Sequence, residues 1–146
     1  MEKSEQLMRS VTGALGKNDF SPFLAALHDD VVWVSAAEAG GPFRFGGEYR
    51  TRMGVEYGLS RVRAGYVIKK FDVKEIIAGK DAVWGLFDAE LLYAPYLMTW
   101  IPSQEISIEM AIRWKLKDDR IIEHRSFFDT ALFFVKHGTA WPALPT

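Results

Sequence analysis

Hydrophobic and polar residues alternate most regularly between Ile106 and Phe128. In the first half of this stretch, every second residue is apolar: Ile106, Ile108, Met110, Ile112, Trp114 and Leu116. A period of two is typical of a β-strand with one buried face. Four charged residues, Lys117 to Arg120, interrupt the pattern, and a β-branched and aromatic run then continues to Phe128. The pattern predicts a β-hairpin at the centre of an antiparallel sheet.

The pattern predicts helices before this sheet. Apolar residues recur three and four positions apart between Leu7 and Leu15, which predicts an amphipathic helix ending near Gly16. Ser21 and Pro22 can begin a second, short helix. The later predicted elements are a strand over Val31 to Ser35, a helix from Arg52 to about Arg63, strands over Phe71 to Ile77 and Val83 to Tyr93, and a last short helix capped by Asp129.

Two further segments lie between or after these elements. Gly40 to Gly47 is rich in glycine and carries Phe43 and Phe45, which predicts a mobile segment that covers the mouth of a cavity. The alternative is a plain connection with one short strand. The tail from Gly138 to Thr146 carries Trp141 among small residues and prolines, and we expect it to pack along the body of the domain.

The order of the elements predicts the fold class. Helices come first and a meander of long strands follows, without a repeat or a linker. We therefore expect one domain over residues 1–146, of the α+β class, in which a cone-shaped, strongly curved antiparallel sheet wraps around the N-terminal helices.

Composition excludes several classes of function. The formal net charge of -1 provides no basic stripe for nucleic acid or an anionic membrane. The absence of cysteine excludes disulfides and thiolate chemistry. The three histidines are not spaced as ligands, and no phosphate-binding or serine-nucleophile motif is present. We therefore expect neither a metal nor another cofactor.

Hydropathy and aromatic content indicate the remaining class. The longest apolar run is far shorter than the roughly 20 residues of a membrane helix, and the charged start does not resemble a signal peptide, so we expect a cytoplasmic protein. Aromatic residues make up 14% of the chain. Some of these rings should face a cavity or a partner subunit.

Three stretches together resemble a known superfamily. They are FSPFLAALHDDVVW from Phe20 to Trp33, GGEYRTRMGV from Gly46 to Val55, and DDRIIEHRSFFDTA from Asp118 to Ala131. In order and content they resemble the nuclear transport factor 2-like superfamily, and within it the SnoaL-like and ketosteroid-isomerase-like proteins. The resemblance implies a cystatin-like α+β cone with a small-molecule pocket, but the superfamily hosts isomerases, cyclases, dehydratases, hydrolases and non-catalytic proteins.

The residues of ketosteroid isomerase are not found at the matching positions. That enzyme uses an aspartate base and an oxyanion hole formed by a tyrosine and a protonated aspartate. Matching places the base at Ser35, the tyrosine at Val11 and the second aspartate at Ile112 or Ala111. None of these side chains supplies the required proton transfer. The resemblance therefore implies the fold without that catalytic apparatus.

The limonene-type epoxide hydrolases give a partial match. Their Asp-Arg-Asp relay activates water, and its arginine and first aspartate fall near Asp88 and Glu90. Its last aspartate falls on Ser126. An acidic pair remains here, but the arginine and the second anchor are absent, so the match does not imply epoxide hydrolysis.

The resemblance also implies which side chains line the pocket, and a period of two extends the assignment along each strand. The predicted lining is Trp33, Ser35, Tyr57, Trp84, Leu86, Met110, Ile112, Trp114, Ile122, Ser126 and Phe128, with Asp88, Glu90 and His124 as its ionisable members. The alternative for Asp88 and Glu90 is the solvated side of an amphipathic strand. The alternative for His124 is a structural histidine bonded to a neighbour.

Two classes of function follow. The first is a cofactor-free acid–base enzyme, an isomerase, cyclase, dehydratase or hydratase, acting on an apolar cyclic or polyketide-like substrate. Asp88 or Glu90 would be its base, facing His124 across Ile112, and Ser126 would assist His124 as a hydrogen-bond partner. The second is a non-catalytic binding or dimerisation module of the same fold.

In either class, we expect a homodimer through the outer face of the sheet. The apolar residues predicted on that face are Phe87, Leu91, Ile121 and Phe127, beside Glu123 and Arg125. A monomer would leave this mixed patch in water.

Overall fold

A computed structural model describes residues 2–36, 46–93 and 104–136, except the side chains of residues 134 and 135. Four helices and six strands follow one another within these ranges. They are α1 (Lys3–Leu15), α2 (Ser21–Ala26), β1 (Leu27–Val34), β2 (Glu48–Arg50), α3 (Thr51–Gly65), β3 (Tyr66–Ala78), β4 (Val83–Tyr93), β5 (Gln104–Lys117), β6 (Arg120–Phe128) and α4 (Thr130–Lys136). The predicted α+β class is confirmed, and so is the order of the elements apart from β2, which was not predicted.

The central hairpin is formed by β5 and β6. Lys117 pairs with Arg120, which leaves Asp118 and Asp119 as a two-residue turn. Both aspartates have positive φ, 53° and 61°, as a type I′ turn requires. This turn has the right-handed twist of the flanking strands and fixes the register of the hairpin.

The six strands form one sheet in the order β2-β1-β6-β5-β4-β3. The predicted sheet was entirely antiparallel, and this is wrong for one pair, because β1 and β6 run parallel. Most of the chain separates these two strands. No hairpin turn therefore constrains their relative direction.

The structure reverses the predicted faces of β4. Its buried inner face carries Val83, Gly85, Phe87, Ala89 and Leu91, and its outer face carries Trp84, Leu86, Asp88 and Glu90. The register explains the reversal, because Gly85 pairs with Ile112 and Val83 with Trp114. Directly paired residues share a face of the sheet. The prediction that Phe87 and Leu91 lie on the outer face is therefore wrong.

A β-bulge changes which residues at the start of β6 face the core, compared with the prediction. Lys115 pairs with Glu123 and Leu116 with Ile121, so Ile122 has no partner in the register. The bulge changes the alternation, and Ile121 and His124 are both buried although they are three positions apart. Ile121, predicted on the outer face, is fully buried, and Ile122 is half-buried.

Helix α1 packs on the inner face of the sheet above Gly85. A Cβ atom at Gly85 would overlap the ring of Phe87 and lie 2.8 Å from Sδ of Met8. Met8 and Phe87 are both fully buried. A large apolar side chain contributes about 1.5–3 kcal/mol when it is fully buried, so this close packing is a substantial part of the core.

The predicted cap of α4 is confirmed, because Asp129 Oδ1 accepts a hydrogen bond from the backbone N–H of Leu132 at 2.9 Å. No helix within the described ranges is long and apolar enough to cross a membrane.

The predicted mobile segment lies outside these ranges except for Gly46 and Gly47, and the tail from Gly138 lies wholly outside them.

Candidate functional site

A cavity of about 110 Å³ lies between the inner face of the sheet and the helices. Its walls are mostly aliphatic and aromatic. They are formed by Leu15, Phe20, Phe23, Trp33, Leu59, Val62, Tyr66, Ile68, Phe71, Ala89, Leu91, Met110, Ile112, His124 and Ser126. Among the residues that the structure describes, no acidic, lysine or arginine side chain belongs to this lining.

The strands place the sheet side of the lining by their period of two. Met110 and Ile112 lie two positions apart on β5 and share one face of the sheet, and His124 and Ser126 do so on β6. Ile112 pairs directly with Ser126, which brings the two strands' contributions together. On β4 the inner face changes from the large Phe87 to the small Ala89. The missing side-chain volume at Ala89 contributes to the hollow space.

His124 lies among aromatic rings. Its ring centroid is 5.2 Å from that of Trp33 and 5.5 Å from that of Phe23. Trp114, its direct partner on β5, donates a hydrogen bond from Nε1 to His124 Nδ1 at 2.8 Å. His124 is only 8% exposed. Burial lowers the pKa of His124 from 6.5 to about 4, so the imidazole is neutral at pH 7.

Two other polar groups lie near this histidine. Ser126 is two residues away on the same face of β6, and its hydroxyl makes no hydrogen bond within the described ranges. The indole Nε1 of Trp33 is buried and also has no hydrogen-bond partner there. Buried polar groups are normally hydrogen-bonded. The polar end of the cavity therefore has unused hydrogen-bonding capacity beside His124.

The structure brings together only some of the residues that the sequence analysis assigned to the pocket. Those that line the cavity are Trp33, Met110, Ile112, His124 and Ser126. Two more, Trp114 and Phe128, do not line it. Trp114 is fully buried against His124, and the ring of Phe128 packs 5.1 Å from that of Phe133.

The predicted acidic pair lies outside the cavity. Asp88 and Glu90 are exposed on the outer face of β4, where Asp88 lies 3.9 Å from Lys74 Nζ and Glu90 pairs in register with Lys70. The placement of Asp88 and Glu90 opposite His124 is therefore wrong, because they lie on the other side of the sheet.

Five other predicted lining residues are also outside the cavity, one of them Ile122 at the bulge of β6. Trp84 is 41% exposed on the outer face and stacks on Phe127, and Leu86 is half-buried on the same face. Tyr57 is 60% exposed on α3. Ser35 follows the end of β1 and donates its backbone N–H to the carbonyl oxygen of Gly47.

Most of the wall that the sequence analysis missed comes from helices and from the true inner face of β4. Phe20 and Phe23 come from the start of α2, Leu59 and Val62 from α3, and Ala89 from β4. The inner face of β4 has no charged residue, whereas its outer face has two. Choosing the uncharged face as the inner one would have identified Ala89 and Leu91.

Within the described part of the chain, no three histidine, aspartate or glutamate side chains are grouped as metal ligands. The described part of the lining carries hydrogen-bonding groups on Tyr66, His124, Ser126 and Trp33. This arrangement can hold an uncharged molecule by apolar contact and orient it through one or two hydrogen bonds.

No family model matches the sequence, and no curated protein is detectably similar to it. Solved structures do match. An NTF2-like protein of unknown function from Burkholderia pseudomallei K96243 aligns with a TM-score of 0.75 and 20% identity, over 98% of this chain and 100% of that one. TerC, co-crystallised with polyporic acid, aligns with a TM-score of 0.75 and 18% identity, over 94% and 100%.

A third structure is named provisionally as a polyketide cyclase and comes from Xanthomonas campestris pv. campestris. It aligns with a TM-score of 0.71 and 13% identity, over 92% of this chain and 96% of that one. At these identities the likeness shows the fold. The chain has the NTF2-like fold, as the resemblance implied.

Proposed function

We propose that this protein binds a small, uncharged, ring-containing molecule in the cavity, with one polar atom of the ligand beside His124 and Ser126. The observation that carries the proposal is an apolar cavity into whose lining β6 places two neighbouring buried polar residues, His124 and Ser126. Small-molecule sites are usually apolar with a few convergent polar groups.

The size of the cavity supports a ligand with about one ring. Its volume is about 110 Å³, and an engineered apolar cavity of about 150 Å³ in another protein binds benzene. The aromatic walls favour a planar ligand, because ring pairs gain about 0.5–1.5 kcal/mol beyond the burial of their area. The naming of one structural neighbour as a polyketide cyclase, and the crystallisation of another with polyporic acid, are consistent with a cyclic ligand.

A second candidate is an enzymatic reaction at the same site. It is favoured by neighbours named provisionally as an isomerase, a hydroxylase and a polyketide cyclase. A reaction here would use His124 and Ser126 rather than a carboxylate, because Asp88 and Glu90 are on the outer face. Binding comes first in either case.

Calorimetric titration with single-ring compounds tests the binding proposal. We expect saturable binding to the unmodified protein. Ala89→Leu should lower the affinity by at least about tenfold, because one added methylene in a filled pocket already lowers it by that factor. Leu86→Ala, on the outer face of the same strand, is the matched control and should bind as the natural sequence does. Absence of binding, or equal binding by Ala89→Leu, would overturn the proposal.

A further inference from the structure

The hydrogen bond between Trp114 and His124 can have only one direction. An indole N–H donates and cannot accept, so His124 Nδ1 must be the acceptor. A neutral imidazole has one N–H group. With Nδ1 unprotonated, the proton lies on Nε2, and no described group forms a hydrogen bond with Nε2.

We infer that Trp114 is a positioning residue that holds His124 as its Nε2–H tautomer, so that the cavity presents a donor and selects ligands with an acceptor oxygen, such as ketones or quinones. This inference rests on the proposed binding function and specifies its ligand class. His124 lines the cavity, whereas Trp114 lies behind it. Nε2–H is therefore the polar group of the histidine that is left for a ligand.

The charge of the lining restricts the ligand further. No described lining residue is cationic, and burial of an unpaired carboxylate carries a high free-energy cost. Ligands that can only donate a hydrogen bond are also disfavoured at His124. They would require the other tautomer, which loses the bond from Trp114 and leaves two buried N–H groups facing each other.

Nitrogen-15 NMR of the ligand-free natural sequence tests the tautomer directly. Spectra of histidine-labelled protein at pH 7 should show His124 protonated at Nε2 and accepting at Nδ1, with His124→Gln used to assign its signals. A proton on Nδ1, or on both nitrogens, would overturn the inference. This measurement does not depend on any ligand or on the folding of a Trp114 variant.

Three ligands of similar size test the consequence for selectivity. Acetophenone offers only an acceptor, indole only a donor, and α-methylstyrene replaces the carbonyl oxygen of acetophenone with a CH₂ group. The compared quantity is the change in affinity caused by Trp114→Phe, measured in a Ser126→Ala background. That background removes the hydroxyl of Ser126, which could otherwise form a hydrogen bond with either kind of ligand.

Opposite changes are expected for donor and acceptor ligands. In the natural sequence the Nδ1–H tautomer is suppressed by about 5- to 150-fold. Trp114→Phe removes this bias, so the affinity for indole should rise by about 3- to 80-fold and that for acetophenone should fall by about twofold. The affinity for α-methylstyrene should stay constant, which separates a change of tautomer from a change in the shape of the cavity.

The outcomes distinguish the two proposals. If none of the three ligands binds to the natural sequence, the binding function itself fails. If all three bind but Trp114→Phe changes their affinities in parallel, the binding function stands and the role of Trp114 is overturned.

Discussion

Acid should destabilise this protein through His124. Burial lowers the pKa of its imidazole from 6.5 to about 4 in the folded chain, whereas the unfolded chain keeps the ordinary value. Between these two pH values the unfolded state binds a proton that the folded state excludes. Stability therefore falls as the pH is lowered through this window, and His124 contributes no further loss below about pH 4.

The expected loss is large for one residue. A difference of about 2.5 in pKa corresponds to roughly 3 kcal/mol of unfolding free energy. Domains of this size are stable by about 5–15 kcal/mol. The surroundings support this magnitude, because the rings of Phe23, Trp33 and Trp114 enclose the histidine and none of the lining residues within the described ranges is a carboxylate that could stabilise its charge.

Urea unfolding at pH 7, 6, 5 and 4 measures the loss, with His124→Asn as the control. The asparagine oxygen lies near the position of Nδ1 and can accept the bond from Trp114, but it does not titrate. Burial raises the pKa of Glu123, but hydrogen bonds from Arg125 and Arg113 outweigh this effect and lower that pKa. Protonation of Glu123 in acid therefore also lowers the free energy of unfolding, in the natural protein and in the variant alike. The natural sequence should lose about 3 kcal/mol more than the variant. Parallel losses would refute the reasoning.

Three other predictions follow from the packing and the faces of the sheet. Gly85→Ala should lower the free energy of unfolding by about 1–3 kcal/mol through overpacking. Gly13→Ala, where an added Cβ meets nothing within 4 Å, should raise it by about 0.5–1 kcal/mol. Equal effects of the two substitutions in urea unfolding would contradict this. Asp88→Asn and Glu90→Gln should leave ligand affinity unchanged in calorimetry, and a tenfold loss would mean that the outer face takes part in the site. If the protein is a homodimer through the outer face, light scattering should give about twice the 16.6 kDa chain mass. Trp84→Glu should be a monomer, because its charge would be buried at the interface. A monomeric mass for the unmodified protein would refute the dimer.

The sequence predicted the hairpin and its turn because both depend on local chemistry. The period of two extends over β5, and the charged Asp118 and Asp119 tolerate the positive φ values of the turn. The bounds of β4 were also predicted as observed, Val83 to Tyr93. Apolar runs and turn residues are sufficient for such assignments.

The large apolar residues of β4 do not by themselves assign its faces. Both faces carry large apolar side chains, Trp84 on one and Phe87 on the other, and the choice depends on the register with β5. The bulge at Ile122 likewise depends on the pairing of two strands. The bond between Trp114 and His124 requires both the turn length and the register, which only the folded chain brings together.

The transition from Phe87 to Ala89 on β4 has a consequence for how the protein can diversify. Towards Val83 the strand is covered by α1, and there substitutions change folding stability. Towards Leu91 the same strand borders the cavity, where a change of side-chain size alters the space available to a ligand. Selection for a new ligand can therefore act on one end of this strand while the other end preserves the scaffold.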